Sequence, residues 1–542
     1  MPDLRRIFAA VALTLALAPL VFPSPLFDPD EGLHAAIAQE MVQRGDYVTP
    51  TFLGEPFLDK PILFFWAEAF SLRLLGDREV AVRLPPLLFG LAGMLSVALL
   101  ARALFGMAAA LVSGIAYGTM LLPLGVSQFA VHDIGLVPFM CIAAWCLARV
   151  ALPEPRATAR TTTGLALLAG AALGFSILTK GLVGVAFAGI FGACLAAHRP
   201  SALPRLAATL TIAVTVAAIV AAPWYIAMEA AHPGYLHYYF IERHLQGYLT
   251  ATQRHAGRPF WYYLPIVLGG TLPWTLHLAG AVRVARTNPL RLVLWAWFAV
   301  GLVFLSIGES KLLTYALPLF PAVAIIIGEY IASRGERVEE RTFAAAVWVQ
   351  VLISALLPAA GLVALHVRHG TAPTHLWIPV AILAGLTMDA GRRACRAADG
   401  AALVKWLALG SLCSVIAALT VLPHAAAWMT ARDLARALNA GGALPSRVSV
   451  LDERIGSLVF YLSPPLRADA SRDRLDESSF AEAIGRVRRD PDDAMLAVRS
   501  EYLSRFNRLF PTPPVPDARA GTFTIFRIIT LRETLQGKRS PH

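Results

Sequence analysis

The run LPPLLFGLAGMLSVALLARALF, residues 84–105, decides the fold class. Its one charged side chain, Arg102, sits near the end. At about 1.5 Å per helical residue, some 20 such residues cross the roughly 30 Å hydrocarbon core of a bilayer. Runs of similar length recur near 7–26, 107–126, 134–152, 163–179, 181–197 and 206–227. A second set lies near 260–281, 290–308, 312–331, 343–365, 375–390 and 402–422. The pattern predicts thirteen transmembrane helices. Composition agrees: 57% of the 542 residues are apolar and 15% are charged, against about 45–50% and 25% in soluble domains. The charge is also uneven, since Arg432 to Arg539 holds 32 of the 47 basic and 36 acidic residues. The expected architecture is therefore an α-helical membrane domain, 1–424, followed by a small soluble α/β domain, 425–542.

Orientation follows from the arginines. With the N-terminus inside, the inner segments carry Arg5/Arg6, Arg102, Arg156/Arg160, Arg199/Arg205, Arg283/Arg286/Arg291, Arg334/Arg337/Arg341 and Arg392/Arg393/Arg396. The short outer turns carry one or two basic residues at most, as the positive-inside rule requires. An odd span count then puts the tail outside, in the periplasm of a Gram-negative cell. The first run resembles a signal peptide, but Pro19 follows its Ala16-Leu17-Ala18 site, so it reads as a retained anchor.

Two outer segments are long, about 27–83 and 228–259. In the first, Leu33, Ile37 and Met41 recur at i, i+4 and i+8 within Glu31–Arg44, which predicts an amphipathic helix lying in the membrane interface. Strand-like runs in the tail are Arg447–Leu451, Leu458–Leu462 and Thr522–Ile529. All five cysteines precede the tail, so no disulfide framework staples it. The net charge of +11 sits largely in short loops, which favours an orientation signal over nucleic-acid binding. No P-loop, GxGxxG, GxSxG or zinc-type Cys/His cluster occurs, so nucleotide binding has no positive support.

With this topology the unusual polar residues gather at one face. Asp28, Asp30, Glu31, Asp59 and Lys60 lie in the first outer loop, and His132-Asp133 opens the fourth span. Lys180 separates the fifth and sixth, Arg254, His255 and Arg258 precede the eighth, and Glu309 and Lys311 join the ninth and tenth. Ionisable groups at membrane depth are costly and default to a functional reading. Each also has a structural reading. Asp28-Pro29-Asp30-Glu31 fits a helix start with Asp28 as N-cap, Pro29 at N1 and Glu31 at N3, and the lysines can snorkel to headgroups. Trp261-Tyr262-Tyr263 fits an interfacial aromatic belt.

Taken together the motifs resemble a family. Asp30-Glu31 opens a helix, and Gly45-Asp46-Tyr47-Val48-Thr49-Pro50 and Asp59-Lys60-Pro61-Ile62-Leu63 follow. Next come Val131-His132-Asp133, Leu178-Thr179-Lys180-Gly181, Arg254-His255 with Pro259-Phe260-Trp261-Tyr262, and Ser310-Lys311 with Tyr315-Ala316-Leu317-Pro318. Their order resembles the lipid A 4-amino-4-deoxy-L-arabinose transferase branch of the protein-mannosyltransferase-like GT-C glycosyltransferases. Asp59 stands where that family more often has Glu, and His132 where it often has Arg.

The resemblance implies an inverting transfer from a polyprenyl (undecaprenyl) monophosphate sugar to lipid A or a related envelope glycolipid, at the outer face of a bacterial inner membrane. A leaving lipid phosphate gains charge as the glycosidic bond breaks, so it needs cations. Lys60 and Arg258 are the first candidates, followed by Lys180, Arg254 and Lys311. Asp30, Asp133 and then Glu31 are the candidates to activate or orient the acceptor. Asp59, His132, His255 and Tyr262 are expected to position substrate. No cofactor is required by this chemistry, though a divalent metal near the first outer loop is compatible with it. The expected partners are the donor lipid, the glycolipid acceptor and membrane lipids, not nucleic acid. A protein mannosyltransferase is the nearer alternative. A flippase for lipid-linked anions is the alternative from another class, and it would place its charges near the bilayer midplane.

Overall fold

A computed structural model describes residues 2–21, 24–152, 158–250, 257–333, 341–369, 374–396 and 400–536. Among the described residues each of the thirteen apolar runs overlaps helix, but they are not thirteen equivalent spans. Among the described residues eight helices are long and apolar enough to cross a membrane. The count becomes nine if Met107–Thr119 and Leu121–Ser127, bent by 65°, form one span. Several of the thirteen expected spans fall outside this measure for physical reasons. Helix Val183–His198 has 16 residues, and run 260–281 is broken into helices Tyr263–Gly270 and His277–Arg283. Helix Trp377–Cys395 carries Asp389, Arg392 and Arg393 in its last two turns. The chain is a multi-pass membrane protein.

The chain divides into two compact units, 1–22 with 58–64 and 83–421, and 23–57 with 65–82 and 422–542. In the first, helices 133–151 and 159–180 run back to back, so the start of one and the end of the other lie at the same level. Helix Ala159–Lys180 packs on Leu203–Ala231 through small residues. Gly170 and Gly174 face Val216 and Val220 of the partner helix, and Ala143, Ala169, Ala172, Ala213 and Ala217 share one buried cluster. Small side chains let helix backbones approach where lipid supplies no hydrophobic drive for association.

The second unit combines much of the first outer loop with the tail. Strands β1 (Thr51–Phe52) and β2 (Glu55–Pro56) form a short hairpin. Glu40 accepts from the Leu53 and Gly54 amides at 2.8 and 2.9 Å, and Asp46 accepts from the Val48 and Thr49 amides, which fixes the intervening loop. The tail forms a mixed sheet from β3 (Val448–Leu451), β4 (Leu475–Ser478), β5 (Met495–Arg499), β6 (Ala518–Ala520) and β7 (Phe523–Arg527), in the order β4-β3-β5-β7-β6. β3 runs parallel to β4 and β5, whereas β7 is antiparallel to β5 and β6. Phe480, Val487, Leu496, Val498, Phe506 and Phe526 belong to its core.

Three sequence expectations are corrected in this unit. Leu458–Leu462 is not a strand but lies largely on helix Gly456–Tyr461; a five-residue apolar run has no decisive period. Asp28 does not cap the helix Asp30–Arg44, whose N-cap is Pro29 with no side-chain bond. The Asp28 carboxylate instead accepts from the Ser457 amide at 2.9 Å and from the Ser457 hydroxyl. Helix Asp30–Arg44 also does not present one apolar face outward. Glu31, His34, Ala35, Ile37, Ala38, Gln39 and Met41 are all buried, and Gly32 and Gly456 bring this helix against Gly456–Tyr461 backbone to backbone.

Candidate active site

Asp133 is the first residue of helix Asp133–Ala151 and is 4% exposed. Lys180, the last residue of helix Ala159–Lys180, forms an ion pair with its carboxylate. The Lys180 ammonium also lies over the Tyr315 ring, 4.1 Å from its centroid. A buried carboxylate is tolerated only with such compensation, and the cation–π contact adds to it. Three stretches far apart in sequence, Val131-His132-Asp133, Leu178-Thr179-Lys180 and Tyr315-Ala316-Leu317-Pro318, thus meet at one point. The His132 ring packs on Phe64 at 4.6 Å. Ile62 and Phe64, both fully buried, anchor the segment that carries Asp59 and Lys60.

Asp59 is engaged by residues not anticipated from the motifs. Tyr238 donates to its Oδ1 at 2.6 Å and Arg243 donates to its Oδ2 at 2.9 Å. Burial and then the Asp59 bond push the Tyr238 phenol up to about 12. Both partners lie on the π-helical turn His237–Gln246, a geometry often found at functional sites. His244 on the same turn has its Nδ1 2.8 Å from the Tyr239 carbonyl. Its ring closes on Gly181, where φ is +68° and any Cβ would strike Nε2. Glycine is therefore required just after Lys180 for conformation and for space. Burial holds His244 below the usual imidazole range, and the positive charges of Lys60 and Arg243 act in the same direction. The sequence signal for this turn was present as His237-Tyr238-Tyr239 and Glu242-Arg243-His244, but it carries no apolar period or spacing that names a role.

Lys311 is 4% exposed, and its Nζ donates to the Arg258 carbonyl at 3.3 Å. It is enclosed by protein and is not an exposed headgroup anchor. Arg258 itself is exposed and lies 5.6 Å from the Tyr262 ring centroid. Arg254 and His255 lie outside the described residues. Asp30 and Glu31 belong to the second unit, where Asp30 is exposed and Glu31 is buried, accepting from the Phe27 amide at 2.9 Å. Glu68, which sequence reasoning passed over, is fully buried in the same unit with neither carboxylate oxygen hydrogen-bonded. Burial and the nearby Glu31 charge raise it well above the usual carboxylate range. No group of three or more His, Cys, Asp or Glu side chains able to hold a metal occurs among the described residues.

Residues 59–226 match the family described as dolichyl-phosphate-mannose-protein mannosyltransferase. An undecaprenyl phosphate-alpha-4-amino-4-deoxy-L-arabinose arabinosyl transferase of Aeromonas salmonicida is 34% identical over 351 residues. That match covers 64% of this chain and 63% of the relative. Over about two thirds of its length the chain is thus similar to an aminoarabinose transferase, and part of it matches the mannosyltransferase family model. The enzyme of the same description from Pectobacterium atrosepticum is 29% identical over 496 residues, covering 88% of this chain and 82% of that one. Likeness of fold extends over nearly all of the chain. The crystal structure of ArnT from Cupriavidus metallidurans bound to undecaprenyl phosphate superimposes with a TM-score of 0.76 at 24% identity, covering 96% of each chain.

Proposed function

We propose that the protein transfers a sugar, with inversion, from an undecaprenyl-type monophosphate to lipid A or a related envelope glycolipid. The observation that carries this reading is the buried Asp133–Lys180 pair under Tyr315, assembled from three of the motifs on which the resemblance to the aminoarabinose transferases rests. It is supported by relatives described as using undecaprenyl phosphate-aminoarabinose. Asp133 orients the donor sugar or the acceptor. Lys60 meets the phosphate, whose charge grows as the C1–oxygen bond breaks. Lys180 is committed to Asp133, so in this arrangement its first task is to hold that carboxylate, and Lys60 and Arg258 remain the leading phosphate ligands. Asp30 and Glu31 stay candidates to activate or orient the acceptor.

The reading also places the active face and tail in the periplasm of a bacterial inner membrane. Reporter fusions after Ala401 and at the C-terminus should then report opposite sides, and the same side for both would overturn the orientation. The function is tested by mass spectrometry of lipid A and envelope glycans from a strain lacking the gene. Loss of one sugar increment, restored by the wild-type gene, is expected. Unchanged glycolipids, with a sugar missing from a protein instead, would favour a protein mannosyltransferase.

A further inference from the structure

Arg243 belongs to none of the motifs that define the site, yet it reaches the segment carrying Lys60. Its guanidinium donates to Oδ2 of Asp59, and Tyr238, five residues earlier on the same turn, donates to Oδ1. Each Asp59 oxygen therefore has a partner, and the two partners fix the carboxylate plane. The pair is not a buried structural tie: the Arg243 and Asp59 side chains are 31% and 35% exposed. An ion pair that open to water contributes little to holding a fold together. Its placement, one residue from Lys60, instead puts a second cation where the first already awaits an anion. His244, the next residue, senses both Lys60 and Arg243, so the two charges share one neighbourhood.

We propose that Arg243 binds the donor phosphate together with Lys60, and that Asp59 and Tyr238 are positioning residues that aim the guanidinium. This rests on the polyprenyl-phosphate reading above. An arginine fork grips two phosphate oxygens, whereas lysine acts as a point charge, so the two differ in what they supply. In the transfer step the acceptor oxygen bonds to the sugar C1, and the electron pair of the breaking C1–oxygen bond leaves with the phosphate. A hydroxyl acceptor gives its proton to a carboxylate. The departing phosphate thus gains a negative charge, which the second cation meets.

The test is binding of undecaprenyl monophosphate, without sugar, to the full-length protein in detergent at several salt concentrations. Arg243→Gln keeps an N–H donor for Asp59 and removes the charge. Its affinity should fall about tenfold, the scale of one charge-assisted hydrogen bond, and its salt dependence should flatten. Tyr238→Phe should weaken binding about threefold, less than loss of the charge itself, with the salt dependence kept. Arg243→Lys should keep the salt dependence and lose part of the affinity. Wild-type affinity and salt dependence in Arg243→Gln would overturn the inference, even with a lowered thermal midpoint, because the residue would then only support the turn. A wild-type protein that does not bind undecaprenyl monophosphate would sink the donor reading itself, and this inference with it.

Discussion

Lys180 closes one helix and Asp133 opens the one before it, and their side chains form an ion pair capped by the Tyr315 ring. Helix lengths of 19 and 22 residues, about 28 and 33 Å at 1.5 Å per residue, return the chain to the level at which it set out. Two charges more than forty positions apart are thereby joined at one end of the hairpin.

Removing either charge should have different consequences. Asp133→Asn keeps the shape, leaves Lys180 its contact with Tyr315, and should abolish transfer while protein accumulates normally. Lys180→Ala strands a buried carboxylate, so it should lose transfer and also about 3–5 kcal/mol of stability. Turnover and thermal midpoints of the two purified variants decide the assignment. Full activity in Asp133→Asn would remove Asp133 from the site.

Lys60→Ala should reduce turnover strongly, by about a hundredfold if one cation facing the developing charge is lost, with expression and folding nearly intact. Lys60 is half-buried beside the engaged Asp59. A steady-state assay with defined donor checks this, and near wild-type turnover would reduce Lys60 to an interfacial residue.

Much of this arrangement was legible in the sequence, because apolar runs and lone charges at their ends are local signals. Asp133 stood out in the sequence as an ionisable group beside an apolar span, and in the structure Lys180 compensates it. What was not legible depends on distant packing. Asp28 looked like a helix cap until the tail brought Ser457 to it. Leu458–Leu462 could be helix or strand until Gly456 met Gly32. Arg243 was invisible as a site residue because a π-helical turn, not a periodic helix, aims it at Asp59.

Asp28 should give stability a pH dependence. Burial raises its carboxyl from the ordinary 3.8 to about 7, against the opposing bonds from Ser457. The folded state therefore holds a proton that the unfolded chain releases. Its contribution is complete below about pH 4 and is lost as pH rises through about 7. The thermal midpoint of the wild type should fall more between pH 5 and 8 than that of Asp28→Asn, which has no proton to lose. Equal falls in both would show that Asp28 is ionised throughout.

The contact of Gly32 with Gly456 should tolerate no side chain. A Cβ on Gly32 would meet the Ser457 backbone nitrogen, and one on Gly456 the Leu33 nitrogen. Gly32→Ala should cost about 1–3 kcal/mol or more, as overpacking does, and lower the thermal midpoint. An unchanged midpoint would mean that the two helices separate freely.

The central claim is that the donor is a sugar on a lipid phosphate, and a transfer assay with purified protein tests it most directly. The assay presents lipid A with either an undecaprenyl-phosphate sugar or the corresponding nucleotide sugar, with no other enzyme present. Transfer from the lipid-linked sugar alone is the predicted result. Transfer from the nucleotide sugar without a lipid carrier would contradict it.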